Sequence, residues 1–258
     1  MNKGYTSERI SFNRKMVAAS AAVTAAKRTI HSMAEADVTV PRRMLREHYE
    51  RTGEKLSFTA YIVHCLTQVI KEHPHLNAFI SGNRLVTLDD VTISVLVERE
   101  FSGEKVPEPL AIEAAQNLTF REINEKIRSA KARTGDTLGG LAGMTWIRFI
   151  PRFMLKAFVR IGERNIKLAK RYGKVAVTAV GMFSREPVWF IPHGSGTVLI
   201  TVGSIEKRMV YTGEGHEERE YLCLTGSFDH DVVDGAPAAR FMNQFLETVK
   251  SGYGVNSN

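Results

Sequence analysis

Cysteine is scarce in this sequence. Cys65 and Cys223 are the only two among 258 residues, they are far apart, and each lies in an apolar stretch. A disulfide framework needs more cysteines at closer spacing. The pattern therefore predicts two buried thiols in a reducing compartment.

Long hydrophobic runs are also absent. The N-terminus, MNKGYTSERI, lacks the apolar core of a secretory signal, and no stretch is long and apolar enough to span a bilayer. These two features predict a cytoplasmic location. The apolar fraction of 43% and the charged fraction of 24% are typical of globular proteins. The length suits one large domain or two small ones.

Acidic residues are outnumbered by basic ones. The chain has 28 Asp and Glu against 35 Lys and Arg, which gives a formal net charge of +7. Such an excess favours anionic ligands or surfaces but carries no information about the fold. A phosphorylated cofactor, a membrane surface and a nucleic acid all fit it.

The most informative stretch lies near the C-terminus, where SFDHDVVDGAPAARF occupies residues 227–241. An apolar, β-prone segment precedes it and apolar residues at helical spacing follow it, so the pattern predicts strand, turn and helix. Pro237 suits the first turn of that helix, and Asp234 or Gly235 lies at its start. The turn thus carries His230 at a strand end, with a carboxylate four residues later.

His230 admits three roles on this spacing alone. An imidazole has an ordinary pKa of about 6.5 and so suits proton transfer at neutral pH, and a nearby carboxylate can fix its tautomer. Alternatively, His230 is buried and bonded to backbone, and Asp234 is a helix cap. A metal site with Asp229, Asp231 or Asp234 is disfavoured, because no second histidine is close in sequence.

The full string resembles the C-terminal motif D-H-x-x-x-D-G-A-x-x-A-R-F of the acyltransferase catalytic domain of 2-oxo acid dehydrogenase complexes. Chloramphenicol acetyltransferase carries a related H-H-x-x-x-D-G. KEHPHLNA at 71–78 and VGMF at 180–183 resemble two further segments of the family. The resemblance covers residues from about 9 to 250. It implies one chloramphenicol acetyltransferase-like domain over 1–258: an α/β (α+β) two-layer sandwich, with a mixed β-sheet flanked by helices, in a trimer.

The resemblance also implies the site residues. His230 corresponds to the general base, and Asp234, paired with Arg14, holds the turn together with Gly235. Thr178 falls where the family has a serine or threonine whose hydroxyl stabilises the tetrahedral intermediate. Without the resemblance, Arg14 fits a solvated surface arginine and Thr178 an ordinary strand threonine. In the family the site lies between subunits, with the histidine from one and the hydroxyl from the next.

The implied activity is that of a stand-alone acyltransferase. It would move an acyl group between acyl-CoA and a thiol of the dihydrolipoamide type, or another small acceptor. Coenzyme A is then a substrate, no cofactor or metal is bound, and no nucleic acid partner is expected. Residues 1–10 read as a tail with no lipoyl or subunit-binding domain, so a lipoyl group would come in trans on a separate protein. Two alternatives stay open: a non-catalytic scaffold or regulatory relative, and a membrane-surface acyl-handling protein.

Residues 136–172 depart from the family, which has a shorter and more polar link there. Basic residues recur at every fourth position: Arg148, Arg152, Lys156, Arg160 and Arg164. They predict one basic stripe on an amphipathic helix, which Gly162 could interrupt. The stripe has three interpretations: a solvated face of a helix packed on the body or on a neighbouring subunit, a contact for an anionic membrane, or an entry for the phosphates of coenzyme A.

Overall fold

The computed structural model describes residues 4–101, 104–132, 152–181, 184, 186–213 and 215–255. The helices and strands in chain order are α1 (Phe12–Thr24), β1 (Thr29–Asp37), α2 (Thr39–Thr52), α3 (Phe58–Glu72), β2 (Ala78–Ser81), β3 (Arg84–Thr87), β4 (Ile93–Phe101), β5 (Glu104–Ile112), α4 (Phe120–Ala132), α5 (Arg152–Glu163), α6 (Ile166–Tyr172), β6 (Val175–Ala179), β7 (Val198–Tyr211), β8 (His216–Asp229) and α7 (Gly235–Lys250).

Six strands form one mixed sheet in the order β1-β8-β7-β6-β4-β5, and β2 and β3 form a separate hairpin. β6 runs parallel to both of its neighbours, whereas the other pairs are antiparallel. Parallel neighbours need crossover connections, and the long segments before and after β6 supply them. The predicted mixed sheet flanked by helices is confirmed.

The core lies between the helices and one face of this sheet. Phe241 and Phe245 of α7 are four residues apart and fully buried. Phe241 meets Phe228 of β8 edge to face, with ring centroids 5.8 Å apart. The helix therefore folds back on the strand that precedes it, and this packing fixes the short turn between them.

Helix α2 begins at Thr39, two residues after β1 ends, and Pro41 lies in its first turn. The Asp37 carboxylate stabilises this start because it accepts hydrogen bonds from the N–H and the hydroxyl of Thr39, at 3.0 and 2.6 Å. β6 ends at Ala179.

The basic segment is interrupted directly after Gly162, the residue at which the sequence allowed a break. α5 ends at Glu163, and α6 starts after Asn165, whose side chain caps it by accepting a hydrogen bond from the N–H of Leu168 at 3.1 Å. Lys174 donates to the free carbonyl of Glu163 at 2.8 Å, which stabilises the break. Residues 136–151, including Arg148, lie outside the described residues.

Both cysteines are buried free thiols, as predicted. Burial raises the pKa of the Cys65 thiol to about 12, so this group is unreactive at neutral pH. Within the described ranges, no helix has the length and apolarity needed to cross a bilayer.

His64 of α3 is held inside the domain between two aromatic rings. Its ring stacks on Phe120 and Tyr253, with centroids 5.9 and 5.3 Å away, and its buried Nδ1 atom has no hydrogen-bond partner among the described residues. Burial lowers the pKa of His64 below its ordinary value. His64 therefore binds a proton less readily in the folded protein than in the unfolded chain.

We therefore expect the free energy of unfolding to decrease as the pH falls below about 6.5, the ordinary pKa of histidine. His64→Gln should reduce this pH dependence in urea denaturation between about pH 7.5 and 5.5. His216→Gln, on the exposed β7–β8 hairpin, is the control and should behave like the parent. Equal slopes for the parent and His64→Gln would contradict the assignment.

Candidate active site

His230 is the first residue after β8, in a tight turn. Its backbone N–H donates to the carbonyl of Arg28 at 2.7 Å, and the N–H groups of Val232 and Val233 donate to the carbonyl of Asp229 at 3.0 and 2.9 Å. The backbone of the turn is thus tied to the start of β1 and to the end of β8. The His230 side chain stays 45% exposed, so the ring is accessible from solvent.

Asp234 lies beside the histidine, as its spacing predicts. Its Oδ1 atom is 3.7 Å from Nδ1 of His230, which is longer than a hydrogen bond. Asp234 precedes α7 but makes no capping bond with its side chain. A Cβ on Gly235 would meet no atom within 4 Å, so no contact within one chain requires glycine there.

The predicted ion pair between Arg14 and Asp234 is not formed within the chain. Arg14 is exposed in the first turn of α1, and the carboxylate of Asp234 has only His230 within ion-pair distance among the described residues. The reason is the packing of α1, which lies against α5 through Ala19 and Leu155 rather than against the His230 turn.

A lysine missed in the sequence holds the turn instead. The ammonium of Lys27 donates to Asp229 Oδ2 at 2.8 Å and to the carbonyl of Ser195 at 2.7 Å. The other oxygen of Asp229 accepts a hydrogen bond from the N–H of Asp231 at 3.2 Å. The Asp229 side chain is only 11% exposed, so this carboxylate is satisfied almost entirely by protein groups next to His230.

Thr178 lies near the end of β6, on the sheet face opposite the helices. Its neighbours Val175 and Val177 point into the core, so alternation turns Thr178 the other way. It stands in register with Thr201 of β7, which stands in register with Thr225 of β8. The Thr178 hydroxyl makes no hydrogen bond to any described residue and is partly exposed, so it is free to donate to a ligand.

The structure does not bring Thr178 and His230 together within one chain. Two strand spacings separate β6 from β8, about 10 Å. Thr225 is the residue of β8 in the register row of Thr178, and His230 comes five residues after it. This places His230 about 17 Å further along the strand direction, at about 3.4 Å per residue. Both groups could touch one small reacting group only if a second copy of the chain supplied one of them.

A groove of about 370 Å³ lies along α2 at the other end of β1. Its lining combines cations with two aromatic rings and two leucines: Arg42, Arg46, Lys55, Tyr49, Phe58, Leu45 and Leu56. Arg42 and Arg46 also reach the carboxylate of Glu220, at 3.1 and 3.0 Å. Such a lining suits a flat ring system that carries phosphates.

A smaller cavity of about 140 Å³ lies behind the His230 turn, with Lys27, His31, His193 and Ser227 in its wall. Nδ1 of His31 is 2.9 Å from the hydroxyl of Ser227. Burial, and secondarily the charge of His193, lower the pKa of His31, so its ring stays neutral at neutral pH. His193 lies outside the helices and strands.

A third cavity, of about 410 Å³, borders α6 and has a lining of both charge signs, including Asp89, Asp90, Glu113, Lys170 and Arg171. Mixed charges of this kind select no one class of ligand. Across the described ranges, no three His, Cys, Asp or Glu side chains are grouped as metal ligands would be.

The fold is of the chloramphenicol acetyltransferase class. A solved chloramphenicol acetyltransferase superposes with a TM-score of 0.52 at 12% identity and covers 94% of this chain and 95% of its own. The chain belongs to the 2-oxoacid dehydrogenases acyltransferase (catalytic domain) family, which it matches over residues 3–140 and 168–253. Residues 141–167 have no counterpart in that match and lie inside the segment predicted to depart from the family.

One relative in sequence and two solved structures with the same fold show how far the similarity extends. The acetyltransferase component of the acetoin cleaving system of Bacillus subtilis is 27% identical over 214 residues, which is 81% of this chain but 46% of that protein. This chain thus spans about half the length of that relative. A probable dihydrolipoamide acetyltransferase from Listeria monocytogenes superposes with a TM-score of 0.71 at 20% identity, covering 99% of this chain and 98% of that one. The Azotobacter vinelandii dihydrolipoamide acetyltransferase gives 0.68 at 16% identity, covering 98% and 96%.

Proposed function

We propose that this chain transfers an acyl group between coenzyme A and a thiol of the dihydrolipoamide type, at a site built from two copies of the chain. The observation that carries the proposal is the separation of two competent groups. An accessible imidazole beside a carboxylate and a partly exposed hydroxyl near the end of β6 are each suited to thioester chemistry, yet they lie too far apart in one chain. A threefold assembly, in which each His230 faces the Thr178 of its neighbour, would complete the site.

Proton transfer is assigned to His230. Since Nδ1 faces Asp234 at 3.7 Å, Nε2 is the nitrogen left to accept the proton of an incoming thiol. The sulfur attacks the thioester carbonyl as its S–H bond breaks, and the proton moves to Nε2. Asp234 stabilises the resulting imidazolium. When the tetrahedral intermediate collapses, the departing thiolate takes that proton back, so atoms and charge balance.

Stabilisation of the oxyanion in the intermediate is assigned to Thr178. Its hydroxyl has no other partner among the described residues, so it can donate without first breaking a bond. A donor already in position stabilises the charge as it develops and needs no reorganisation. In the Azotobacter vinelandii enzyme, a serine, a histidine and an asparagine four residues after the histidine were studied for their role in the catalytic mechanism. That spacing equals the spacing of His230 and Asp234 and supports the assignment.

The nucleotide end of coenzyme A is assigned to the α2 groove. Lys55 is exposed there, and no described residue pairs with its ammonium, so it is available for a phosphate. Phe58 and Tyr49 offer ring faces for an adenine. The acceptor is assigned to a lipoyl group in trans, because the related proteins are named as dihydrolipoyllysine-residue or lipoamide acyltransferase components.

Lys27→Met should lower kcat by about 10- to 10²-fold, because losing the cation beside a buried carboxylate displaces the His230 turn. Lys27 is a positioning residue, so KM for acyl-CoA should change little and Lys27→Arg should recover part of the rate. Arg28→Met is the matched control. Its ion pair with Asp231 is exposed and of little energetic value, so this variant should turn over like the parent. Similar losses in both variants would mean that the region is only structural.

The proposal is tested with the purified chain, a panel of acyl-CoA donors and dihydrolipoamide, measuring thioester exchange. At least one donor should support turnover that saturates with both substrates. A folded, oligomeric chain that binds coenzyme A but transfers no acyl group would instead support the alternative of a non-catalytic scaffold.

A further inference from the structure

Helix α5 exposes an apolar stripe made of Met154, Phe158 and Ile161. These residues are spaced four and three apart, so they share one side of the helix, and they are 48%, 39% and 69% exposed. A different side, with Leu155 and Val159, already packs on α1. The stripe is therefore a second apolar surface, additional to the buried face that holds the helix on the body.

The next helix extends this surface. Leu168 of α6 lies against Gly162, since a Cβ on that glycine would be 3.5 Å from Leu168 Cδ1. Leu168 and Ile166 are themselves 41% and 44% exposed. Apolar groups thus continue from the end of the stripe across the break between the two helices.

The same segment carries most of the net charge of the chain. Residues 152–172 contain seven Lys or Arg and one acidic residue, Glu163, so they hold six of the seven net positive charges. Glu163 is engaged by Lys174, with Nζ 3.4 Å from its carboxylate. Lys156, Arg160 and Arg164 are exposed and form no ion pair with a described residue.

The cations of α6 are in a different position. Lys170 and Arg171 border the third cavity, of about 410 Å³. Its lining also includes Asp89, Asp90 and Glu113, so acidic groups oppose these two cations. The unopposed positive charge therefore lies on a third side of α5 and at its end, where Arg164 is three residues from Ile161 of the apolar stripe.

We propose that α5 and the start of α6 dock the protein on an anionic lipid surface. The apolar stripe would enter the boundary between headgroups and acyl chains, and Lys156, Arg160 and Arg164 would contact lipid phosphates. Exposed apolar side chains beside a dense cationic cluster are typical of helices that lie in a membrane interface. A second copy of the chain fits less well, because it would bring an equally positive surface against this one.

This docking surface is separate from the proposed chemistry. Residues 141–167 fall outside the family match, and α5 packs on α1 rather than on the His230 turn. Vesicle binding and acyl transfer should therefore respond to different substitutions, so either proposal can fail without the other.

The test is co-sedimentation of the full chain with vesicles of pure phosphatidylcholine, or of phosphatidylcholine with about 30% phosphatidylglycerol. We expect at least tenfold more binding to the anionic vesicles. Binding should weaken between about 0.1 and 1 M salt, as the screening length falls from about 10 to 3 Å. The triple variant Met154→Ser, Phe158→Ser, Ile161→Ser should lose binding, and Lys156→Gln with Arg160→Gln should lose its preference for anionic lipid. The control Met209→Ser with Tyr211→Ser, on the exposed β7–β8 hairpin, should bind like the parent.

Three outcomes would overturn the proposal. The parent chain could fail to bind either vesicle or bind both equally. The triple variant could bind as well as the parent. The triple variant could also change the oligomeric mass in light scattering, in which case a second copy of the chain covers the stripe.

Discussion

His230→Ala is expected to lower kcat for thioester exchange by about 10²–10⁴-fold, the range over which positioned general acids and bases act. Among the described residues of the turn, His230 alone has a titratable nitrogen that is exposed and lies beside a carboxylate. Because the proton moves only during the reaction, KM for acyl-CoA should change far less than kcat. The rates are measured with saturating acyl-CoA and dihydrolipoamide.

A matched control separates this loss from general damage. His216→Ala removes an exposed histidine from the β7–β8 hairpin, at the opposite end of β8 from the His230 turn. This variant should leave kcat unchanged. Equal turnover in His230→Ala and the parent would remove the proposed base. Loss of activity in both variants would point to an unrelated effect of histidine removal.

Thr178→Val should lower kcat by about 10²–10³-fold, the usual cost of losing one oxyanion donor. Valine keeps the shape and strand propensity of threonine, so the fold should be retained. Thr178→Ser keeps the hydroxyl and should preserve most of the activity. The acyl-transfer rates of the parent, Thr178→Val and Thr178→Ser, measured at saturating substrate, test this prediction.

Thr201→Val is the control for that experiment. Thr201 is the register partner of Thr178, and no residue that the structure describes forms a hydrogen bond with its buried hydroxyl. Removing an unsatisfied buried hydroxyl should leave activity intact and leave stability equal or higher. A loss of activity in Thr201→Val as large as that in Thr178→Val would contradict the specific role of Thr178.

The features that local sequence determines were predicted well. The strand–turn–helix around His230 follows from a β-prone run, a short polar turn and phenylalanines four residues apart, and all three are local signals. Thr178 lies in a strand, as expected. The mixed sheet was expected from the resemblance to a known family.

The features that depend on distant pairing were not predicted. Lys27 contacts Asp229 because Thr29 of β1 lies opposite Asp229 of β8. No local sequence pattern indicates a partner that is about 200 residues away. Arg14 was expected at Asp234, but α1 packs on α5 through Leu155, part of a segment that departs from the family. A break near Gly162 was allowed by the sequence, but the hydrogen bond from Lys174 to the last carbonyl of α5 was not predicted, because Lys174 lies beyond both helices.

The most direct test of the central claim is complementation between two inactive variants. His230→Ala and Thr178→Val are co-expressed and purified together, and transfer is compared with each variant alone. If each site takes its imidazole from one copy and its hydroxyl from the next, about a quarter of the sites in randomly mixed cyclic assemblies regain both groups. We predict recovery to roughly that fraction of parent activity under random mixing. Activity no higher than that of the two variants measured separately would contradict a site shared between copies of the chain.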